Sequence, residues 1–215
     1  LDPWICGDDL IDPRDNKSYA TVEIGNQCWM AENLNIGDMI NGTLDQTDNQ
    51  LIEKYCWGNT EPACDAYGGL YQWDEVMNYS NIQGGQGLCP DGWHLPTDEE
   101  WKQLEGEVDS QFGYPDPEWD KIYDRGYDVG KNLKSAYGWE ISGNGWDLYD
   151  FTALPGGYRN PDGVFWDLTW YGAWWTSTEQ SSTQAWNRSL HSLSDQSNRY
   201  GLEKQYGYSL RCLKN

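Results

Sequence analysis

The segment from Ser142 to Tyr171 is rich in aromatic and acidic residues and also contains an asparagine. These residues are Asn144, Trp146, Asp147, Tyr149, Asp150, Trp166, Asp167, Trp170 and Tyr171. A sugar ring has an apolar C–H face that stacks on an indole or phenol ring, while carboxylates and amides bind its hydroxyl groups. The segment therefore predicts a carbohydrate-binding surface.

Two residues outside the densest part of this segment join the candidate site. Trp119 lies in a stretch rich in proline and aspartate, 112–126, that we expect to be an exposed loop. Arg159 follows a Gly-Gly-Tyr turn, where it is either a buried counter-ion or a group that grips a ligand hydroxyl. The predicted ligand-binding residues are therefore Trp119, Trp146, Tyr149, Arg159, Trp166, Asp167, Trp170 and Tyr171. The alternative is that these aromatic side chains hold the loops of the fold in place.

Oxygen-bearing side chains around Gly145 suggest a cation as a second ligand. Asn144, Asp147 and Asp150 offer the amide and carboxylate oxygens that calcium prefers. Their order is not that of an EF-hand loop, which closes on a glutamate. Calcium is the one cofactor that we consider, and the alternative is that these carboxylates only solvate a loop.

Catalytic patterns are absent from the sequence. His94 and His191 have no evident partners for a catalytic triad. The chain has many carboxylates, and no local pattern identifies two of them as a glycosidase pair. We therefore expect a binding protein and not an enzyme, with an unrecognised glycoside hydrolase as a less favoured alternative.

The charge of the chain limits its partners. Its 215 residues include 35 acidic and 14 basic side chains, which gives a net charge of -21. Nucleic acid and acidic lipid are unsuitable partners, because neutralising phosphates requires clusters of Lys and Arg. No apolar run approaches the ~20 residues needed to cross a bilayer. The 14 Trp and 15 Tyr against only 3 Phe favour stacking surfaces over an oily cavity.

Six cysteines point to three disulfides in an exported protein. No C-x-x-C pair is present, and the histidines are far apart, so a zinc site is not indicated. Our preferred pairing is Cys6–Cys28, Cys56–Cys64 and Cys89–Cys212, although spacing alone leaves other connectivities open.

The remaining pattern predicts an α+β fold. Residues 19–24 and 28–32 read as a β-hairpin, and 37–69 as a polar loop. A capping box at Thr97 and Glu100 begins a helix, and a weaker helix spans 129–137. The short strands after it are 151–154, 164–166, 173–177, 185–187 and 208–213. We expect these late strands to close against the first hairpin.

Six motifs in order resemble the Fibrobacter succinogenes major paralogous domain, a family of secreted and lipid-anchored bacterial proteins. The motifs are Trp29-Met30-Ala31-Glu32-Asn33-Leu34, Gly69-Leu70-Tyr71-Gln72-Trp73, Cys89-Pro90-Asp91-Gly92-Trp93-His94-Leu95-Pro96-Thr97, Ala153-Leu154-Pro155-Gly156-Gly157-Tyr158-Arg159, Trp174-Trp175-Thr176-Ser177-Thr178 and Ser209-Leu210-Arg211-Cys212. We expect one such domain over residues 1–215, with 1–14 as an N-terminal extension tied by Cys6. The motif tryptophans are expected to fill the core.

The resemblance implies a fold similar to C-type lectins and formylglycine-generating enzymes, with two main helices, short antiparallel strands and long loops. The chain departs from both in chemistry. Trp186-Asn187-Arg188 has a cation where calcium-dependent lectins have an acidic ligand, and Glu61-Pro62-Ala63 does not replace their Glu-Pro-Asn loop. Cys212 has no second cysteine close to it, so formylglycine-type chemistry is not expected.

These observations predict a secreted or cell-surface bacterial module that binds plant or host polysaccharide by aromatic stacking. We expect it to be a monomer or a module of a larger secreted protein. The main alternative is a cell-surface adhesin or scaffold that recognises another protein.

Overall fold

The computed structural model describes residues 4–215, and it contains short helices and several small, mostly antiparallel sheets. The helices are α1 (Glu61–Tyr67), α2 (Trp73–Val76), α3 (Asp98–Val108) and α4 (Val129–Leu133), with 3-10 turns at Trp57–Asn59 and Pro117–Asp120. The strands are β1 (Leu10–Ile11), β2 (Ser18–Tyr19), β3 (Thr21–Ile24), β4 (Gln27–Met30), β5 (Asp38–Met39), β6 (Glu53–Lys54), β7 (Trp93–His94), β8 (Tyr123–Arg125), β9 (Tyr158–Arg159), β10 (Phe165–Trp166), β11 (Tyr171–Glu179), β12 (Gln184–His191), β13 (Ser197–Glu203) and β14 (Leu213–Lys214). None of the helices within 4–215 is long and apolar enough to cross a bilayer.

The first hairpin forms as predicted and anchors one four-stranded sheet. β3 and β4 pair around a two-residue turn at Gly25, whose φ of +61° suits glycine. The C-terminal strand β14 lies between β4 and β7, and Leu213 is paired with both Trp29 and His94. The last strand therefore pairs with the first hairpin as predicted. The expectation that all the late strands close against this hairpin is wrong, because 173–177 and 185–187 belong to a separate sheet and only Leu213 of 208–213 lies in a strand.

A second sheet, in the order β11-β12-β13-β8, carries the longest strands. Side chains alternate between its two faces, so neighbouring positions on one strand serve different environments. On the inner face, Arg188 of β12 contacts Asp98 of α3. The outer face is half covered by a core that includes Trp175 and Tyr208 and is open beyond that core.

Aromatic side chains dominate both halves of the core. Trp29 stacks on Trp101 with ring centroids 4.9 Å apart, and Trp101 lies 6.1 Å from Trp174. Trp175 lies 4.7 Å from Tyr208 in the other cluster. The motif residues Trp93, Trp174 and Trp175 are buried as predicted, and so is Trp101 in the helix that follows the third motif.

Helix α3 begins with the predicted capping box. The Thr97 hydroxyl accepts from the Glu100 amide at 3.2 Å, and the Glu100 carboxylate accepts from the Thr97 amide at 2.7 Å. The other Glu100 oxygen lies 2.9 Å from Nε2 of His94. This hydrogen bond raises the pKa of His94. Burial alone raises the pKa of Glu100, but its contacts with His94 and Thr97 outweigh burial and lower it.

The His94–Glu100 pair predicts a pH-dependent contribution to stability. Because the folded pKa of His94 is raised, the contribution is complete below the unfolded value and is lost as pH rises through the folded pKa. It is also lost in acid, once Glu100 is protonated. We expect wild type to exceed His94→Gln in unfolding free energy by up to about 1 kcal/mol near pH 6 and by less near pH 8. Urea unfolding across this range tests it, and a pH-independent difference would contradict it.

A network of buried charges joins α3 to the inner face of the second sheet. Glu105 contacts Arg125 and accepts from Nε of Arg188 at 3.0 Å. Asp98 binds Arg188 and Arg199 at 2.8 and 2.7 Å. All of these side chains are buried. The network therefore pairs three buried guanidinium groups with two buried carboxylates and leaves only Nε of Arg125 without a partner among them.

All three predicted disulfides are confirmed. Cys6–Cys28 ties the N-terminal segment to β4, Cys56–Cys64 clips α1, and Cys89–Cys212 links the middle of the chain to its C-terminal end. Every cysteine of the chain is paired.

Several predicted elements were wrong. Segment 37–69 contains helix α1 and the parallel pair β5–β6 in place of a continuous loop. The second helix ends at Leu133, and 151–154 forms a single bridge at Ala153 instead of a strand. Strand β13 was missed because its sequence mixes Asn, Arg, Gly and Glu with few apolar residues. The loop around Trp119 is not an exposed one, because that side chain is buried.

Candidate functional site

Trp119 is not available to a ligand. Its side chain is only 1% exposed, its Nε1 donates to the Gly113 carbonyl at 3.0 Å, and the Arg125 guanidinium lies 5.6 Å from its ring centroid. The predicted exposure of Trp119 is therefore wrong, and so is a stacking role for it.

Arg159 is equally enclosed, at 1% exposure. Its guanidinium donates to the Gly42 carbonyl at 2.8 Å and the Gln205 carbonyl at 3.0 Å, and it lies 4.7 Å from the Tyr55 ring. The group joins three separate segments, which is the structural alternative that the sequence left open. Its assignment to ligand binding is wrong.

Two of the three predicted calcium ligands, Asn144 and Asp147, are hydrogen-bonded within the loop that they shape. Asn144 Oδ1 accepts from the Trp139 amide at 2.9 Å, and both Asp147 oxygens accept from Thr152, at 2.7 and 2.9 Å. Lys131 Nζ donates to the Asn144 carbonyl oxygen at 2.9 Å. A lysine ammonium group therefore already lies beside this loop, where its charge opposes the binding of a calcium ion. The set with Asp150 therefore does not fit a calcium ion.

Carboxylates elsewhere do not replace this set. Within residues 4–215, the one cluster of three Cys, His or acidic ligand atoms is Cys56, Glu61 and Cys64. Both sulfurs of that cluster are in a disulfide, so they are not thiolate ligands.

The open half of the outer face forms a groove in the β11-β12-β13-β8 sheet. Pairing places Ala173, Ser189, Asn198 and Asp124 in one row across the four strands. Three interstrand spacings make this row about 14 Å long. We call the cavity above it the outer-face groove. It has a volume of about 250 Å³ and is lined by Asp124, Tyr171, Ser189, His191, Leu193, Ser194, Gln196 and Asn198.

The outer-face groove contains hydrogen-bonding groups that the chain does not satisfy. Ser189 Oγ and Asn198 Oδ1, of two lining residues, have no hydrogen-bond partner, and neither does Asn187 Oδ1 of the same strand face outside the lining. The Asn198 amide is fixed in orientation, because its Nδ2 donates to Asp124 Oδ1 at 2.9 Å. An unsatisfied buried polar atom costs about 1–3 kcal/mol. These three atoms are covered by their neighbours, so the polar lining groups that an outside partner can reach belong to the exposed Asp124 and the half-buried His191 and Gln196.

His191 adds a donor on the same face. The Leu193 amide donates to its Nδ1 at 3.0 Å, so the ring hydrogen of the neutral imidazole is on Nε2. Its ring lies 6.3 Å from the rings of both Trp170 and Tyr171. His191 therefore links the polar row to the predicted aromatic segment.

A tyrosine cluster continues from the groove toward Trp166. The hydroxyls of Tyr171 and Tyr200 are hydrogen-bonded, and the Tyr158 ring lies 5.7 Å from the Tyr171 ring. Burial raises the pKa of Tyr171 and raises the pKa of Tyr158 to about 12. Both hydroxyls thus stay protonated and able to donate near neutral pH. Trp166, which is 51% exposed, is paired with Tyr158 in the β9–β10 hairpin.

The other predicted residues fall on either side of this surface. Asp167 is exposed, and Trp170 is half-buried with its ring 6.3 Å from that of His191. Trp146 is 58% exposed, but its ring packs against Lys131. The Lys131 amide donates to the Asp195 carbonyl in the turn that follows His191. Tyr149 is half-buried against the core. The structure therefore brings together Trp166, Asp167, Trp170 and Tyr171 and leaves Trp146 and Tyr149 apart.

Two larger cavities lack this combination. One of about 480 Å³ is lined by Asp74, Thr183, Glu203 and polar neighbours, with no aromatic side chain. Another of about 330 Å³ is lined by Arg14, which is already paired with Asp12 at 2.6 Å. Neither offers both a stacking ring and unmatched polar groups.

Residues 22–214 match the family model of the Fibrobacter succinogenes major domain. The chain belongs to this family. The resemblance drawn from the six motifs is confirmed to that extent. No curated protein and no solved structure matches the chain.

The Fibrobacter succinogenes major domain of this chain includes the whole outer-face groove, whereas Cys6 lies before it. The groove residues Asp124, Ser189 and Asn198 were missed from sequence, and His191 was noted without a role. Along β12, residues of the outer face alternate with residues of the inner face. This alternation is not visible in the sequence, because the intervening Arg188 is also polar and belongs to the buried network on the inner face. The one signal was the polar sequence 187–192, which is unusual for a strand with so many buried residues.

Proposed function

We propose that this protein is a secreted or cell-surface bacterial module that binds polysaccharide at the outer-face groove without catalysis. The observation that carries the proposal is a groove on an open sheet face whose lining includes Asp124, His191 and Asn198, with the rings of Trp170 and Tyr171 6.3 Å from that of His191. Sugar hydroxyls need donors and acceptors, and sugar rings need a flat apolar partner. Both needs are met over one continuous surface.

The groups available suit direct hydrogen bonding to a sugar. Asp124 offers an acceptor that Asn198 orients, while His191 Nε2 and the tyrosine hydroxyls offer donors. Asp124 is the one carboxylate lining the groove within the part of the chain that the structure describes. Glycoside hydrolysis normally uses a carboxylate pair, so this favours binding over cleavage.

We also infer a fold similar to that of C-type lectins and formylglycine-generating enzymes. Pairing of the N-terminal hairpin with the C-terminal strand supports it, as do the long loops between the sheets. Three disulfides in a chain without free cysteine support an oxidising, extracellular location.

Affinity electrophoresis through gels with dissolved glucans and xylans tests the proposal. We expect retention of wild type and a loss of up to about tenfold in affinity for Asn198→Ala, because this variant removes the hydrogen bond at 2.9 Å that orients the Asp124 carboxylate. Trp166→Ala should weaken retention through lost stacking. All variants should unfold cooperatively at nearly the wild-type temperature, because Trp166 is half-exposed and Asn198 is at the groove.

Tyr123→Ala is the matched control. Tyr123 precedes Asp124 in β8, is 64% exposed and does not line the groove. It should leave retention unchanged. No retention of wild type on any polymer, or an equal loss for Tyr123→Ala and Trp166→Ala, would overturn the proposal.

A further inference from the structure

We propose that the outer-face groove selects uncharged glycans and rejects uronic-acid and other anionic polymers, and that Asp124 is the residue that sets this selectivity. The inference rests on the proposed function and names the substrate class of the same site. Its basis is the distribution of charge around the groove.

Negative groups surround the groove. Asp124 lines it, and the exposed side chains of Asp167 and Asp195 lie on the segments at its two sides. The net charge of -21 adds a long-range field of the same sign. An anionic sugar would therefore approach like charges at short and long range.

The nearby basic side chains do not offset this negative charge, because they are engaged inside the protein. Lys134 is buried, and its Nζ donates to the carbonyls of His191 and Ser194 at 3.1 and 2.8 Å, beneath the turn that lines the groove. Arg188 and Arg199 are held by Asp98 on the inner face. No Lys or Arg side chain lines the groove within residues 4–215.

A neutral sugar hydroxyl group, in contrast, can form a favourable hydrogen bond with Asp124. The Asp124 carboxylate already accepts from Asn198 through Oδ1, so Oδ2 is left to accept from a sugar hydroxyl. A hydrogen bond to an ionised acceptor is roughly twice as strong as one between neutral groups. A sugar carboxylate has no hydrogen to give to Asp124, and it would only add repulsion. The same residue thus favours hydroxyls and opposes carboxylates.

Pairs of polymers that share a backbone and differ in charge measure the effect of ligand charge on binding. The pairs are hydroxyethyl cellulose against carboxymethyl cellulose, and highly methyl-esterified polygalacturonate against de-esterified polygalacturonate. Affinity electrophoresis at low salt and at neutral pH should show at least tenfold tighter binding to the neutral member of any pair that is bound. The ratio should fall as salt is added, because salt screens the repulsion.

Asp124→Asn is the informative variant, because an amide oxygen still accepts from Asn198 while the charge is removed. We expect its neutral-to-anionic ratio to fall severalfold from that of wild type, with a smaller loss of neutral binding. Asp116→Asn, an acidic residue outside the groove in the 3-10 turn region, is the control for net charge and should leave the ratio unchanged.

The outcomes separate the two claims. If wild type binds none of these polymers or the glucans and xylans, the proposed function fails. If it binds a charged polymer as tightly as its neutral partner at low salt, or if Asp124→Asn leaves the ratio at the wild-type value, only the charge selectivity fails.

Discussion

Replacing Glu105 with alanine is expected to lower the unfolding free energy by about 3–5 kcal/mol, because it leaves buried cations without their partner. Glu105 is buried on α3, where it contacts Arg125, accepts from Arg188 and accepts from the Ser197 hydroxyl at 2.8 Å. Burial on its own raises the pKa of Glu105, but the charges of Arg125 and Arg188 outweigh burial and lower it. The carboxylate is therefore ionised in the folded protein at neutral pH.

Urea unfolding of Glu105→Ala, followed by tryptophan fluorescence, measures this loss. Glu179→Ala is the matched control, because Glu179 also pairs with a cation, Lys204, but is itself exposed. Exposed pairs contribute about 0–1 kcal/mol, so this variant should be nearly as stable as wild type. Equal losses for the two variants would show that the buried network does not stabilise the fold as argued.

The same depressed pKa predicts the direction of acid sensitivity. A carboxylate with a lowered folded pKa stabilises the protein above its unfolded value and loses that contribution as pH falls through the folded value. The Glu105 contribution should therefore be constant near neutral pH and decline only in strong acid. This contrasts with the His94–Glu100 pair, whose contribution also declines toward alkaline pH.

Local features of the fold were predictable from sequence, because their chemistry is complete within a few residues. The capping box at Thr97 needs only a hydroxyl and a glutamate three positions later. The Gly25 turn and its flanking strands are likewise a local pattern. The buried network was not predictable, because Arg188 and Glu105 are 83 positions apart. A charged residue in a sequence looks the same whether it is solvated or paired inside the protein.

The candidate site was predictable only in part for a related reason. Composition identified an aromatic segment, but it did not distinguish the exposed Trp166 from the buried Trp119. Exposure depends on which segments pack above a side chain, and that depends on contacts distant in sequence. The polar half of the groove required the register of three strands, which places Ser189, Asn198 and Asp124 in one row.

Removing the Cys89–Cys212 disulfide, as the double variant Cys89→Ala and Cys212→Ala, is expected to cost about 3–5 kcal/mol of unfolding free energy. The bond closes a sequence separation of 123 residues, and a cross-link stabilises mainly by reducing the freedom of the unfolded chain. For a loop of that length the chain-entropy relation gives about 5 kcal/mol. Both cysteines are buried in the core and next to β14, so their removal also weakens the junction between the last strand and the first hairpin.

The short disulfide provides an internal comparison. Cys56–Cys64 has a separation of only 8 residues, for which the same relation gives about 2.6 kcal/mol. Each double alanine variant is measured by urea unfolding under conditions that keep the remaining disulfides intact. We expect the variant without Cys89–Cys212 to be the less stable of the two. A larger loss for Cys56–Cys64 would mean that native packing around α1, and not the length of the closed loop, decides what each disulfide contributes.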